Sequence, residues 1–265
     1  MYIYLVRHGQ SVWNAEERHQ GWQNVPLSSL GERQAERVAQ RLKEQSFDYY
    51  FTSPIYRCYQ TAEAIVRAKN LEPQANLQVL EGLREARLSA RMEGMLSKEM
   101  VKSWSEEEKR RFRDDYTFKF EDGESVQEVV ERSRVTFREI AMLSEEAPLE
   151  PEEGENSAAS RDVATQNPEA TPGETAQDPK PDKPKIQPKT ALVVAHRINI
   201  QLFVLQALGA TGVVAERQTN IDRLEISNCA LSVIEVNLKG KEPLFRLLTS
   251  NDVTHLTGLK AEKAG

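Results

Sequence analysis

The 265-residue sequence predicts an α/β fold: a three-layer sandwich with a mostly parallel central sheet and helices on both faces. Three observations carry that prediction. Short apolar runs of strand length alternate with segments whose apolar residues recur at helical spacing, the pattern of a parallel sheet covered on both sides. One of these runs, TALVVA (Thr190–Ala195), is apolar without alternation, as a strand buried on both faces must be. Two of the strands lead straight into a histidine, His8 and His196, and in open α/β sheets ligands gather at the carboxyl ends of strands.

The elements follow in order. Tyr2–Val6 reads as a strand, and Gly31–Gln45 as a helix with Ala35, Val38, Ala39 and Leu42 on one face. FDYYFTS (Phe47–Ser53) is a second strand. Ile55–Ala68 is a helix begun by the Ser53-Pro54 pair. A weaker strand lies at Leu77–Leu80. Ser125 opens a long helix with Val126, Val129, Val130, Phe137, Ile140 and Ala141 on one side, ending near Met142 to Ser144. After Thr190–Ala195 come a helix from Ile198 to Leu208 and final strands at Ala230–Val236 and Leu244–Leu248. No internal repeat is visible.

One stretch stands apart. Glu145 to Lys189 holds eight of the twelve prolines, no aromatic residue, and eleven acids against five bases. Such a segment buries too little apolar area to offset its ordering entropy, so it is expected to be a disordered insertion in a single domain spanning 1–265. Without it about 220 residues remain, the size of one α/β domain. It accounts for the whole net charge of −6, the rest being balanced at 30 bases and 30 acids, so charge gives no reason to expect nucleic-acid or membrane binding. A protein partner for the insertion is the one macromolecular contact the composition leaves open. Connections between such elements need only about 4–6 residues. Replacing Pro148 to Pro188 by a short Gly/Ser linker is therefore expected to preserve activity and thermal stability, since loop closure depends only logarithmically on length. Lost catalysis in a folded shortened protein would instead make the insertion a lid, with Lys180, Lys183 and Lys185 its first suspects. No apolar run approaches the ~20 residues of a membrane span. Met1 leads directly into YIYLV without a basic leader, and Cys58 and Cys229 have no metal spacing, so a cytoplasmic setting is expected.

The chemistry begins at LVRHGQS, Leu5 to Ser11. An arginine beside a neutral imidazole makes sense when an anion sits between them, because the cation opposes protonation of the ring. Downstream lie QGWQNVPLSSLGERQA (Gln20–Ala35), TSPIYRCYQTA (Thr52–Ala62), LREA (Leu83–Ala86), MEG (Met92–Gly94), DGESVQEVVERSRV (Asp122–Val135), VVAHR (Val193–Arg197) and NDVTHL (Asn251–Leu256). In this order and spacing the chain resembles the histidine phosphatase superfamily, branch one, the phosphoglycerate-mutase-like group. The resemblance covers nearly everything except the insertion and implies that group's fold.

A phosphomonoester dianion must have its oxygens neutralised while one face stays open to attack. Arginine forks suit this better than lysine, and Arg7 and Arg57 supply them. His8, kept neutral by these cations, attacks phosphorus through one ring nitrogen, while a backbone carbonyl accepting from the other fixes its tautomer. His196 donates to the phosphoryl group. The resemblance assigns the same roles to these four residues, and no metal or other cofactor is required. A metal site built from His8, His196, Glu85 and His255 is disfavoured by the charge on Arg7. The resemblance also points to Glu85 as the acid that protonates the leaving alkoxide and later activates water. Glu81 and Glu93 are its rivals, and the eight-residue step from Glu85 to Glu93 is one longer than the family's usual spacing.

Asn14, Gln20 and Gly21 match family positions lining the phosphate pocket, and Gln20 resembles the phosphatases, since the cofactor-dependent mutases usually carry threonine there. Arg197 replaces the family's usual glycine and adds either a further anion contact or a steric limit on substrate. His255 reads as structural, His19 as an exposed loop residue, and Trp22 as packing beside the crevice mouth. Met95–Phe120 reads as a cap whose Lys109 to Arg113 charges are a solvated face or meet a second substrate anion. The expected function is hydrolysis of a small-molecule phosphomonoester. The alternatives are a cofactor-dependent phosphoglycerate mutase and, from another class, a non-catalytic phospholigand-binding scaffold.

Overall fold

The structure is a computed structural model describing residues 1–145, 188–209, 224–239 and 242–259. Nearly all of the predicted insertion lies outside the described residues. Six strands form one sheet: β1 (Tyr2–Arg7), β2 (Tyr49–Thr52), β3 (Leu77–Val79), β4 (Thr190–Ala195), β5 (Leu231–Lys239) and β6 (Glu242–Asp252). Their order is β3-β2-β4-β1-β5-β6. The first four in that order run parallel, and β5 and β6 add an antiparallel edge. The mostly parallel sandwich is therefore present, with a longer last strand than the sequence suggests. Leu244 and Leu248 are exposed on β6, and its flanking residues are polar, so no apolar signal marks its true extent.

The eight helices among the described residues are α1 (Val12–Ala15), α2 (Ser29–Leu42), α3 (Tyr56–Ala68), α4 (Pro73–Asn76), α5 (Ser97–Lys102), α6 (Glu106–Asp114), α7 (Val126–Met142) and α8 (Arg197–Ala207). Strand alternation sends successive side chains to opposite faces. Val6, Leu192 and Val194 pack with Val38 and Leu42 of α2 and with Ile65 and Val66 of α3. Ile3, Leu5, Ala191 and Val193 face the other way, onto Phe137 and Ile140 of α7 and Ile200 and Phe203 of α8. Phe137 stacks on both Phe203 and Phe245, with ring centroids 4.5 and 4.6 Å away. Ser125 caps α7, its hydroxyl accepting from the Glu128 amide while the Glu128 carboxylate accepts from the Ser125 N–H, which starts the helix directly after the polar DGE turn.

The cap has a small core of its own, which sequence periodicity did not announce. Trp104 gathers Phe112 and Phe120 around it at 5.0 and 4.9 Å, with Met92 and Met100 beneath. The charges of α6 pair within that stretch: Lys109 with Glu106, Arg110 with Glu107, Arg111 with Asp115 and Arg113 with Asp114. The first three are i,i+3 or i,i+4 pairs along a solvated face, and the last joins sequence neighbours. No helix of the described residues is long and apolar enough to cross a membrane.

Candidate active site

β1 and β4 are neighbours in register, so Arg7 lies beside Ala195 and the two histidines leave the sheet side by side. Their rings meet edge to face, with centroids 5.2 Å apart. Both are buried. His8 Nδ1 lies 2.7 Å from the Gly9 carbonyl oxygen, which can only accept, so the proton sits on Nδ1 and the lone pair on Nε2. That lone pair faces Arg57, whose Nε donates to it at 3.3 Å. Burial, then Arg57, then Arg7, holds the His8 ring well below its usual pKa. The same burial, followed by Arg57, keeps His196 neutral as well.

His196 begins α8, and its Nε2 lies 2.9 Å from the Ser53 hydroxyl and 3.4 Å from Cys58 Sγ. The Ser53 hydroxyl also accepts from the Ile55 N–H at 3.3 Å, and Ile55, the N-cap of α3, supplies no side-chain cap. Arg7 donates to the Ile226 carbonyl at 2.6 Å, and its Nε is buried with no partner among the described residues. Burial pushes the Arg7 guanidinium down to about 10, still charged at neutral pH. Asn228 and Cys229 hold the turn after β1, donating to the carbonyls of His8 and of Arg7.

The three candidate carboxylates separate cleanly. Glu85 Oε2 is 4.0 Å from His196 Nδ1, and its other oxygen accepts from the Ala86 N–H at 3.0 Å. Glu81 is exposed and paired with Arg84. Glu93 is buried and fully engaged, accepting from the Trp22 N–H at 2.9 Å, the Gln23 amide at 2.7 Å and Arg87 at 3.3 Å. Only Glu85 of the three lies beside the histidines. Asn14 Oδ1 accepts from the Ser11 N–H and hydroxyl in a capping box on α1, and Gln20 Oε1 accepts from the same hydroxyl at 2.6 Å. The NH2 end of each amide is the one free to donate to an oxyanion. The Gly21 carbonyl accepts from Arg57 at 3.1 Å.

Arg197 is exposed on the first turn of α8 and shares with Arg7, Gln34 and Asn228 the lining of a cavity of about 800 Å³. The Arg84 and Arg87 guanidinium groups each lie 5.0 Å from the Trp22 ring. His255 is structural in its contacts, its Nε2 lying 3.0 Å from the Cys229 carbonyl. His19 departs from expectation. It is half-buried, pinned through backbone bonds to Gly94 and Met95, because the loop before Gln20 pairs with the entrance to the cap. Ser53, Cys58 and Asn228 were missed as site neighbours. Ser53 and Cys58 sit inside the quoted TSPIYRC motif, and no local sequence signal marks Asn228.

A model of the histidine phosphatase superfamily, branch 1, matches residues 3–148. The chain belongs to that family. A phosphoserine phosphatase 1 from Hydrogenobacter thermophilus is 34% identical over 141 residues, covering 52% of this chain and less than two thirds, 63%, of that protein. A probable phosphoglycerate mutase from Serratia proteamaculans is 28% identical over 262 residues, 96% of this chain and 94% of its own length. Among solved structures, a mycobacterial glucosyl-3-phosphoglycerate phosphatase superposes with a TM-score of 0.64 at 22% identity, over 94% of this chain and 98% of that one. That likeness is one of fold, and this histidine phosphatase family's fold is the one predicted.

The neutrality of the paired histidines has a measurable consequence. Their folded-state pKa values lie below the unfolded value of 6.5. On acidification the unfolded chain takes up these protons first, so stability is full above about pH 6.5 and falls below it. The slope contributed is about 1.4 kcal/mol per pH unit for each ring. Thermal midpoints between pH 5 and 8 should be level at the alkaline end and decline below about 6.5, and His8→Ala should reduce that decline. A decline unchanged by the substitution would assign it to other groups.

Proposed function

We propose that the chain is a phosphomonoester hydrolase working through a phosphohistidine on His8. The observation that carries this reading is the locked His8 ring, with Nδ1 on the Gly9 carbonyl and the Nε2 lone pair facing a buried guanidinium beside a second neutral histidine. In the first step Nε2 attacks phosphorus, the phosphorus–oxygen ester bond breaks, and the departing alkoxide takes a proton from Glu85. In the second, Glu85 as carboxylate accepts a proton from water, the oxygen attacks phosphorus, and the nitrogen–phosphorus bond breaks to release orthophosphate. Arg7, Arg57 and His196 carry the phosphoryl charge, with Asn14, Gln20 and Gly21 at its edge and Arg197 farther out toward the rest of the substrate.

Glu85→Gln tests the acid. It is expected to slow alkyl phosphates by roughly 10²-fold or more while sparing activated aryl phosphates, whose leaving oxygen hardly needs a proton. Equal loss on both would reduce Glu85 to a positional role. The near full-length likeness to a probable phosphoglycerate mutase makes a second assay necessary. Metal-free release of phosphate from a phosphomonoester panel is the expected outcome. Interconversion of 2- and 3-phosphoglycerate without net hydrolysis would instead select the mutase, and no turnover at all a phospholigand-binding scaffold.

A further inference from the structure

The segment carrying Glu85 has no regular structure beyond one 3-10 turn at Glu81–Leu83, yet its backbone is held from several directions. Arg132, near the middle of α7, donates through one terminal nitrogen to the carbonyls of both Gly82 and Arg84, each at 2.9 Å. Its other two nitrogens fork onto the Glu124 carboxylate at 2.9 and 3.0 Å. Glu124 in turn accepts from the Arg87 N–H at 3.2 Å, and its own N–H donates to the Arg87 carbonyl at 2.7 Å. The Glu85 carbonyl accepts from the Trp22 indole at 2.8 Å. Backbone groups at 82, 84, 85 and 87 are therefore all fixed, bracketing the Glu85 Cα on both sides. The loop also lies hard against α7, for a Cβ on Gly82 would come within 1.8 Å of Thr136 Oγ1.

We propose that Arg132 and Glu124 form a clamp whose purpose is to set the reach of the Glu85 carboxyl into the site, making them positioning residues for proton transfer. The proposal rests on Glu85 being the general acid, as read above. It gives a function to the DGES-to-Arg132 stretch, which the phosphate chemistry itself leaves unused. Glu85 approaches His196 at 4.0 Å from a loop without helix or strand to hold it. A proton donor must lie within hydrogen-bonding reach of the leaving oxygen, and an error of about 1 Å costs on the order of 10²-fold. Only a planar fork with five N–H donors bridges a carboxylate and two carbonyls at once, and a lysine in its place reaches part of that set. The Arg132–Glu124 pair is mostly screened from solvent, at 21% and 17% side-chain exposure, so its geometry is not loosened by water.

The experiment is a double-mutant cycle of Arg132→Lys with Glu85→Gln in the full chain, read on an alkyl phosphate and on an activated aryl phosphate. Arg132→Lys alone should lower kcat/KM for the alkyl ester on the order of 10- to 100-fold, and for the aryl ester by less than about threefold. In the Glu85→Gln background the same change should add almost nothing for the alkyl ester, because both act on one proton. Equal losses on both esters, or additive losses in the double variant, would overturn the clamp and leave the acid in place. A Glu85→Gln variant without leaving-group dependence would overturn the acid, and the clamp's purpose with it. If Arg132→Lys does not fold, Glu124→Gln takes its place in the cycle with the same expected pattern.

Discussion

His8→Ala is expected to abolish turnover, by roughly 10⁴-fold or more, together with acid-labile phosphate labelling of the chain. The size follows from the loss of the covalent route, because the Nε2 lone pair that faces the buried guanidinium of Arg57 is removed with the ring. The fold should survive. The turn after β1 is held through backbone atoms, with Asn228 and Cys229 donating to the His8 and Arg7 carbonyls and the His8 N–H donating to Ala195, and none of these needs the imidazole. Loss of the ring also removes one neutral base that resists folding in acid, so the variant should be relatively less acid-sensitive than the parent. Labelling by a phosphomonoester, detected after acid and alkaline quench, checks the assignment. Phosphate that still attaches to the alanine variant would move the nucleophile to His196, the ring 5.2 Å away.

Most strands and helices were legible because their apolar residues mark which faces are buried. Thr190–Ala195 reads correctly to its last residue, since both of its faces are covered by helices and every position must be apolar. Helix α2 starts at Ser29, two residues before the expected Gly31, because the cap is Ser28 and capping is a polar signal that apolar spacing does not register. The cap helices α5 and α6 were unreadable for a related reason. Their apolar residues Met100 and Phe112 gather around Trp104, in the turn between the two helices, instead of repeating along one stripe. At the candidate site, His8 and His196 were legible as strand ends and Arg7 as the neighbour of His8, whereas Arg57 was named through its place after Ser53-Pro54, and the structure brings Arg57 and His196 to the His8 ring. Among Glu81, Glu85 and Glu93 the resemblance named Glu85, but no residue pattern separated it from its rivals. The choice depends on which carboxylates are already engaged, Glu81 by Arg84 and Glu93 by the Trp22 and Gln23 donors, and the Glu93 contacts join segments far apart in the chain.

Arg57→Lys should damage both catalysis and stability, although it conserves charge. Arg57 is 1% exposed, and its three nitrogens serve three different acceptors: His8 Nε2, the Gln23 carbonyl at 3.0 Å and the Gly21 carbonyl at 3.1 Å. An ammonium carries its donors on one atom and cannot span that set. At least one carbonyl is left unpaired in a buried place, at a cost of about 1–3 kcal/mol. The loop cannot easily relax to compensate. Gly21 holds a φ of +49°, and even a Cβ there would lie 2.4 Å from Glu93 Oε1, so the chain is gripped between Arg57 on one side and Glu93 on the other. A thermal midpoint lower by several degrees is the expected stability readout. For catalysis, under the proposed function one preorganised donor group to a developing phosphoryl charge is worth roughly 10²- to 10³-fold, and the substitution replaces a planar guanidinium by a single point charge. The loss should therefore appear in kcat/KM for every phosphomonoester whatever its leaving group, unlike the selective pattern expected of Glu85→Gln. Because Trp22 lies between the two carbonyls that Arg57 holds, its fluorescence should shift in the same variant. A lysine variant that melts early yet keeps its activity within about threefold would make Arg57 a strut of the Gly21–Gln23 loop and leave Arg7 as the chief phosphate ligand.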